Sequence, residues 1–132
     1  NSLGEIELNP QGFLGETNGE RLISNMSPLI IKTADGINTI GSPGADRISS
    51  SLALVINNFT QNKDWKESIN KPRYHVNMDG SIRAEPGVKN ISDNLTVTEP
   101  NDMYFGGVCV TGIDAELFTY GDKRRGDATW KN

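Results

Sequence analysis

Small polar residues and glycines bunch at two points of this chain, Ser24-Asn25-Met26-Ser27 and Gly41-Ser42-Pro43-Gly44-Ala45-Asp46. The hydroxyl and amide groups of Ser24, Asn25 and Ser27 are donors that could hold a carboxylate, or they could serve only to shape the turn before Pro28. At the second point a Gly/Pro loop opens onto an apolar-faced helical stretch. Helix starts leave backbone N–H groups free at the positive end of the dipole, so Gly44 and Ala45 could receive an anion or an oxyanion. Small side chains there let a substrate carbonyl come close to the backbone. Ser42 sits between strand and helix, as a nucleophilic serine does at a sharp turn. The pattern is Gly-Ser-Pro-Gly rather than Gly-x-Ser-x-Gly, and Pro43 removes the amide that would follow such a nucleophile.

The other candidates are isolated. His75, the one histidine, could act as a general base, and a structural role is the plainer reading of a strand histidine. Glu5 and Glu7 could hold an ammonium group or simply be solvated. Arg124 and Arg125 read as surface charge, and Cys109, in the apolar run from Phe105 to Val110, as a small buried residue. One His and one Cys make no metal-ligand cluster, and no cofactor is expected; no Gly-Lys-Ser/Thr follows the glycines, so there is no phosphate-cradling loop.

These residues need elements to position them. An apolar strand over Leu29 to Lys32, a turn at Asp35-Gly36 and a strand over Ile37 to Ile40 read as a hairpin. Ile48, Leu52, Val55, Ile56 and Phe59 recur at spacings of three and four, which predicts a helix from about Ala45 to Phe59 with Gly44-Ala45-Asp46 as its first turn. A second helix is expected at about Asp64 to Ile69, with Asp64 as N-cap and Pro72 behind it. Arg73 to Asn77 and Ser81 to Arg83 read as strands around Asp79-Gly80. A short helix is expected over Val88 to Ser92 and a strand over Leu95 to Thr98. Phe105 to Ile113 and Glu116 to Tyr120 read as a further hairpin, and the tail from Gly121 shows no periodicity. Residues 1–21 read as loop or short irregular elements. Helices grouped together with strands at both ends indicate α+β architecture.

The 132 residues fit one domain or part of one, read as a single unit over 1–132. A net charge of −4 argues against nucleic acid or an anionic membrane as the main partner. No apolar run approaches the roughly 18 residues that span a bilayer. A chain starting at Asn1 is expected to be processed or truncated.

Four motifs then occur in order: Ser24-Asn25-Met26-Ser27-Pro28, Gly41-Ser42-Pro43-Gly44-Ala45-Asp46-Arg47-Ile48, Lys71-Pro72-Arg73-Tyr74-His75 and Asp122-Lys123-Arg124-Arg125-Gly126. Together they resemble the C-terminal part of the small subunit of gamma-glutamyltransferases, over nearly the whole chain. The family's patterns are similar to Ser-Ser-Met-Ser-Pro, Gly-Ser-Pro-Gly-Gly-Ser-Arg-Ile, Ala-Pro-Arg-Phe-His and Asp-Pro-Arg-Arg-Gly. The resemblance implies an N-terminal-nucleophile hydrolase fold, an αββα sandwich of helices around two stacked sheets. It also implies a precursor that cuts itself, so that a new N-terminal threonine attacks a γ-glutamyl amide with its own amine as base.

Carried over by position, the resemblance makes Gly44 and Ala45 the oxyanion-hole N–H donors, Ser24 and Asn25 the holders of the substrate α-carboxylate, and Glu5 the holder of its α-ammonium. Ala45 departs from the family's second glycine, Asn25 from a serine, and Glu5 from an aspartate. The nucleophilic threonine is expected upstream of Asn1, and an arginine for the substrate carboxylate in the large subunit. The partners implied are therefore the large subunit, the upstream part of the same precursor and a small γ-glutamyl substrate, in a periplasmic or extracellular setting. Self-association through an open sheet edge is expected of the chain by itself. Two rivals stand beside this reading: a non-catalytic relative or binding module, and a cephalosporin acylase-like amidase of the same family.

Overall fold

The computed structural model describes residues 24–89, 91 and 95–131. In chain order the strands and helices are β1 (Leu29–Lys32), β2 (Ile37–Gly41), α1 (Arg47–Asn62), α2 (Trp65–Asn70), β3 (Tyr74–Val76), β4 (Ile82–Ala84), β5 (Leu95–Val97), β6 (Cys109–Ile113), β7 (Leu117–Tyr120) and β8 (Thr129–Lys131). Single 3₁₀ turns stand at Met103–Phe105 and Lys123–Arg125. The mixture is α+β, as expected. Among the described residues the strands form a five-stranded sheet in the order β1-β2-β6-β7-β8 and a three-stranded sheet in the order β3-β4-β5.

Local chemistry explains most of the elements. Thr33 N–H donates to Gly36 O at 2.9 Å and closes the β1–β2 hairpin around Asp35-Gly36. Asp64 caps α2 by accepting from Glu67 N–H at 2.8 Å, and Pro72 follows the helix. Lys63, at φ 59°, ends α1 and donates to Phe59 O at 2.9 Å. One face of α1 (Ile48, Leu52 and Val55) packs with Trp65 and Ile69 of α2 onto Ile40, Val108, Val110 and Phe118 of the large sheet. Trp65 stacks on Phe59 with ring centroids 3.6 Å apart, and its indole N–H donates to the buried Asn38 Oδ1 at 3.2 Å.

The helices cover one face of the large sheet. On the other face the register aligns Ile30, Thr39, Thr111, Thr119 and Trp130 in one row. Ile30 is 77% exposed, and Ile37, Ile113, Leu117 and Trp130 are about half exposed.

Several expectations need correction. Gly44, Ala45 and Asp46 are not the first helical turn. The helix starts at Arg47, with Gly44 at φ 133° and Ala45 at φ 51° in front of it. Val88, Lys89 and Ile91 are not helical; Val88 N–H closes a turn onto Glu85 O at 3.4 Å, and the rest of that stretch lies outside the described residues. Phe105 belongs to a 3₁₀ turn rather than to the strand that follows. The tail carries β8, paired antiparallel with β7. Strand β5 pairs parallel with β4, a crossover that no local signal announces. Cys109 is exposed, because the strand alternation buries Val110 and Gly112 and turns Cys109, Thr111 and Ile113 outward. Arg124, read as surface charge, is only 3% exposed.

Candidate active site

The antiparallel register places several loops at one end of the large sheet. Leu29 lies opposite Ile40, so the lead-in to β1 and the lead-out of β2 share that end. Gly41 lies opposite Cys109, which brings Gly106, Gly107 and Val108 there as well. Ser24 and Asn25 thus stand at the same end as Gly44 and Ala45. Glu5 and Glu7 lie outside the described residues.

The Ser42–Asp46 loop is fixed from within and from the side. Ser42 Oγ donates to Pro43 O at 2.8 Å and accepts from Gly107 N–H at 3.3 Å. Gly106, at φ 75°, fits against this loop only because it has no Cβ: one built there would stand 2.5 Å from Pro43 O and 2.8 Å from Ser42 Oγ. Arg47 N–H donates to Gly44 O at 2.9 Å and Ile48 N–H to Ala45 O at 3.3 Å, so the carbonyls of the turn are committed to the helix start. The N–H groups of Gly44 and Ala45 have no acceptor among the described residues. Two successive unsatisfied donors beside a helix N-terminus can hold an anion or a developing oxyanion.

Ser24 Oγ accepts from Met26 N–H at 3.2 Å, and Ser27 Oγ donates to Asn25 O at 2.9 Å. These bonds shape the turn before Pro28. They leave the Ser24 hydroxyl proton and the Asn25 side-chain amide without partners among the described residues. Both readings of this stretch, turn-shaping and carboxylate donors, are therefore compatible at once.

Beneath the site lies a group that the sequence reading missed. Arg73, Glu85, Asp122 and Arg124 are each no more than 3% exposed. Asp122 Oδ2 meets Arg73 Nη2 at 2.6 Å and accepts Val108 N–H at 2.8 Å, while its Oδ1 meets Arg124 Nη1 at 3.0 Å. Arg124 also pairs with both oxygens of Glu85, which in turn accepts Arg73 N–H at 2.8 Å and Asp102 N–H at 3.1 Å. Arg73 Nη1 donates to Phe105 O at 3.1 Å, as does Ser51 Oγ at 2.8 Å. Burial pulls the Arg73 guanidinium below its ordinary value against the pull of Asp122. For Arg124 burial acts the same way, but the hydrogen bonds and charges of Glu85 and Asp122 outweigh it and the value rises. Both stay cationic, since arginine does not deprotonate in proteins. The quartet ties segment 102–108, which abuts the Ser42–Gly44 loop, to α2 and the C-terminal 3₁₀ turn.

His75 packs beside the helix start rather than in the loop. It is 7% exposed, its Nδ1 lies 2.9 Å from Ser50 Oγ, and its Nε2 lies 3.5 Å from Asp46 Oδ2. Burial lowers its pKa more than Asp46 raises it. Groups of three or more metal-ligating side chains are absent among the described residues. Arg125 lies over Gly107 and is exposed.

Residues 6–129 match the family model described as gamma-glutamyltranspeptidase. No curated protein matches the chain. Among solved structures, a crystal form of the Bacillus anthracis transpeptidase enzyme CapD is similar at 25% identity and a TM-score of 0.70, over 100% of this chain and 89% of that one. A highly active mutant of the gamma-glutamyltranspeptidase from Pseudomonas nitroreducens is similar at 21% identity and a TM-score of 0.65, over 83% of this chain and 62% of that one. A mutant of the Helicobacter pylori gamma-glutamyltranspeptidase is similar at 21% identity and a TM-score of 0.64, over 83% and 66%. The last two likenesses establish the fold alone.

Proposed function

Because the chain belongs to the gamma-glutamyltranspeptidase family, we propose that it forms the C-terminal part of the small subunit of an enzyme that transfers γ-glutamyl groups from glutathione or a related amide to water or an amino acid. The observation that carries this reading is the pair of free N–H groups at Gly44 and Ala45. A threonine from outside these 132 residues would attack the γ-carbonyl carbon, with its own amine taking the hydroxyl proton. The carbonyl oxygen, as it gains charge, would meet the Gly44 and Ala45 N–H groups. Ser24 and Asn25 would hold the substrate α-carboxylate, and Glu5 its α-ammonium.

The exposed apolar residues on one face of the large sheet support the partners in this reading. A face carrying Ile30, Ile37, Ile113, Leu117 and Trp130 fits a second sheet stacked on it, supplied by the upstream segment and the large subunit.

The test uses the processed protein that contains this chain, with a γ-glutamyl anilide as donor. Carboxylate contacts exist equally in ground and transition states, so Ser24→Ala should raise KM and leave kcat nearly unchanged. A charge-assisted hydrogen bond is worth about 1.5–3 kcal/mol, or roughly 10- to 150-fold in KM. Absence of turnover on γ-glutamyl anilides, with turnover of acyl antibiotics, would replace this reading by the acylase-like one. Absence of turnover on both would replace it by a non-catalytic relative.

A further inference from the structure

The residue directly after the free N–H pair is Asp46, and its carboxylate does not cap the helix it precedes. Oδ1 is drawn to Arg47 Nη1 at 2.5 Å, and Oδ2 faces His75 Nε2 at 3.5 Å. His75 thus sets the small sheet against the carboxylate of this turn. Its Nε2 is buried and has no hydrogen-bond partner among the described residues. Its Nδ1 shares Ser50 Oγ with Arg47 O, which lie 2.9 and 3.1 Å from that oxygen.

The proton count at this point is one short. A neutral imidazole carries one N–H. If Ser50 gives its proton to Arg47 O, Nδ1–H must point at Ser50, and a bare lone pair on Nε2 faces the Asp46 carboxylate. If Nε2 carries the proton instead, Ser50 must turn its own proton to Nδ1 and abandon Arg47 O. Only the protonated ring makes the Ser50–Arg47 O contact and an N–H bond to Asp46 at the same time. Its second N–H would draw Asp46 from 3.5 Å to the roughly 2.8 Å of a charge-assisted hydrogen bond.

We propose that His75 is a positioning residue: by facing the Asp46 carboxylate, it sets the direction of the Gly44 and Ala45 N–H pair, and its protonation, by drawing Asp46 in, resets that direction. The catalytic half of this inference rests on the γ-glutamyl reading; the structural half does not. The groups around the ring are few. Helix α1 and its lead-in present Asp46, Arg47 and Ser50. Strand β4 presents Arg83, the cross-strand partner of His75. The 3₁₀ turn presents Tyr104, edge-on at 6.2 Å, whose ring lies 4.8 Å from the Arg47 and 4.8 Å from the Arg83 guanidinium carbon. Arg47 opposes a charge on His75, and Asp46 is the one carboxylate among these groups that favours it.

The experiment follows the Ala45 amide by NMR in the processed protein labelled with ¹⁵N-alanine, alongside the His75 ring signals, as pH is lowered from above the ordinary histidine value until the ring has titrated, which burial moves to lower pH. The Ala45 amide is expected to move with the His75 titration. It should stop doing so in His75→Gln, whose amide reaches the Nε2 position but carries no charge, and in Asp46→Asn, which keeps the ring. On a γ-glutamyl anilide, His75→Ala should lower kcat by about 10- to 100-fold, the scale of a displaced catalytic group, with KM within about twofold. His75→Gln should restore most of that loss. An Ala45 amide that stays still while His75 titrates overturns the proposal, as does one that still moves in Asp46→Asn. An amide that moves as expected in a protein with no γ-glutamyl turnover would leave the positioning role standing and sink the proposed reaction instead.

Discussion

Replacing Asp122 with alanine should strongly destabilise what holds the candidate site. The carboxylate receives Arg73 at 2.6 Å, Arg124 at 3.0 Å, Val108 N–H at 2.8 Å and Arg124 N–H at 3.0 Å, and is itself 1% exposed. In Asp122→Ala, Glu85 still neutralises Arg124, while Arg73 is left as a buried cation with no carboxylate in hydrogen-bond contact through its guanidinium. Breaking a buried pair in this way costs about 3–5 kcal/mol, and the orphaned Val108 N–H pushes the loss toward the upper end. Whole domains are stable by only about 5–15 kcal/mol. With a urea slope near 2 kcal/mol/M, a loss of about 4 kcal/mol lowers the unfolding midpoint by about 2 M. Circular dichroism against urea measures this. The double variant Arg73→Met/Asp122→Leu removes both charges, so it should be no less stable than Asp122→Leu. A midpoint change worth less than about 1 kcal/mol in Asp122→Ala would refute the reasoning, and so would a double variant that loses the sum of the two single changes.

Four further outcomes are expected. The folded state disfavours a charge on His75, so the stability from its neutral ring is present above about pH 6.5 and lost as pH falls below that value; His75→Gln should flatten the slope of the unfolding midpoint against pH in this window. Ala45→Gly should keep stability constant or raise it by up to about 1 kcal/mol, because Ala45 holds φ 51°, whereas a glycine for alanine inside a helix lowers stability; thermal unfolding separates the two signs. Ser42→Ala should cost about 1 kcal/mol through the lost bond to Gly107 N–H and retain turnover on a γ-glutamyl anilide, while complete loss of turnover would mark Ser42 as the nucleophile. The 132-residue chain by itself should bind a hydrophobic dye and self-associate through the exposed apolar residues of its large sheet, and sedimentation as a compact monomer without dye binding would contradict this.

What was legible in the sequence is what local chemistry decides. Asp35-Gly36 between apolar runs gives a hairpin, the spacing from Ile48 to Phe59 gives α1, and Asp64 with Pro72 brackets α2. The parallel pairing of β5 with β4 and the docking of β8 on β7 depend on partners that no nearby residue announces. Cys109 shows the cost of reading an apolar run by its mean rather than by its alternation. Val110 and Gly112 face the helices, so Cys109 must face away.

The site was legible in a different measure. Small residues at a loop-to-helix junction already suggest an anion site at Gly44 and Ala45, but the sequence places these two inside the helix and the structure places them before it. That difference matters physically. Within a first helical turn the N–H groups point along the axis, whereas a left-handed pair in front of the helix can turn both donors toward one point beside it. Such a conformation is strained for Ala45 and persists only if its surroundings insist on it. The insistence comes from Gly106 against Pro43 O, from Ser42 bonded to Gly107, and from the carbonyls of Gly44 and Ala45 taken by Arg47 and Ile48. Behind Gly106 and Gly107 stand Asp122 on Val108 N–H and Arg73 on Phe105 O. Motifs around Arg73 and around Asp122 to Arg125 were visible as part of a family resemblance, but their role was not. An arginine more than fifty positions from its partner carbonyl reads as surface charge until the chain is folded. The chain therefore keeps its candidate oxyanion donors in one short loop and spreads the groups that aim them over the rest of its length.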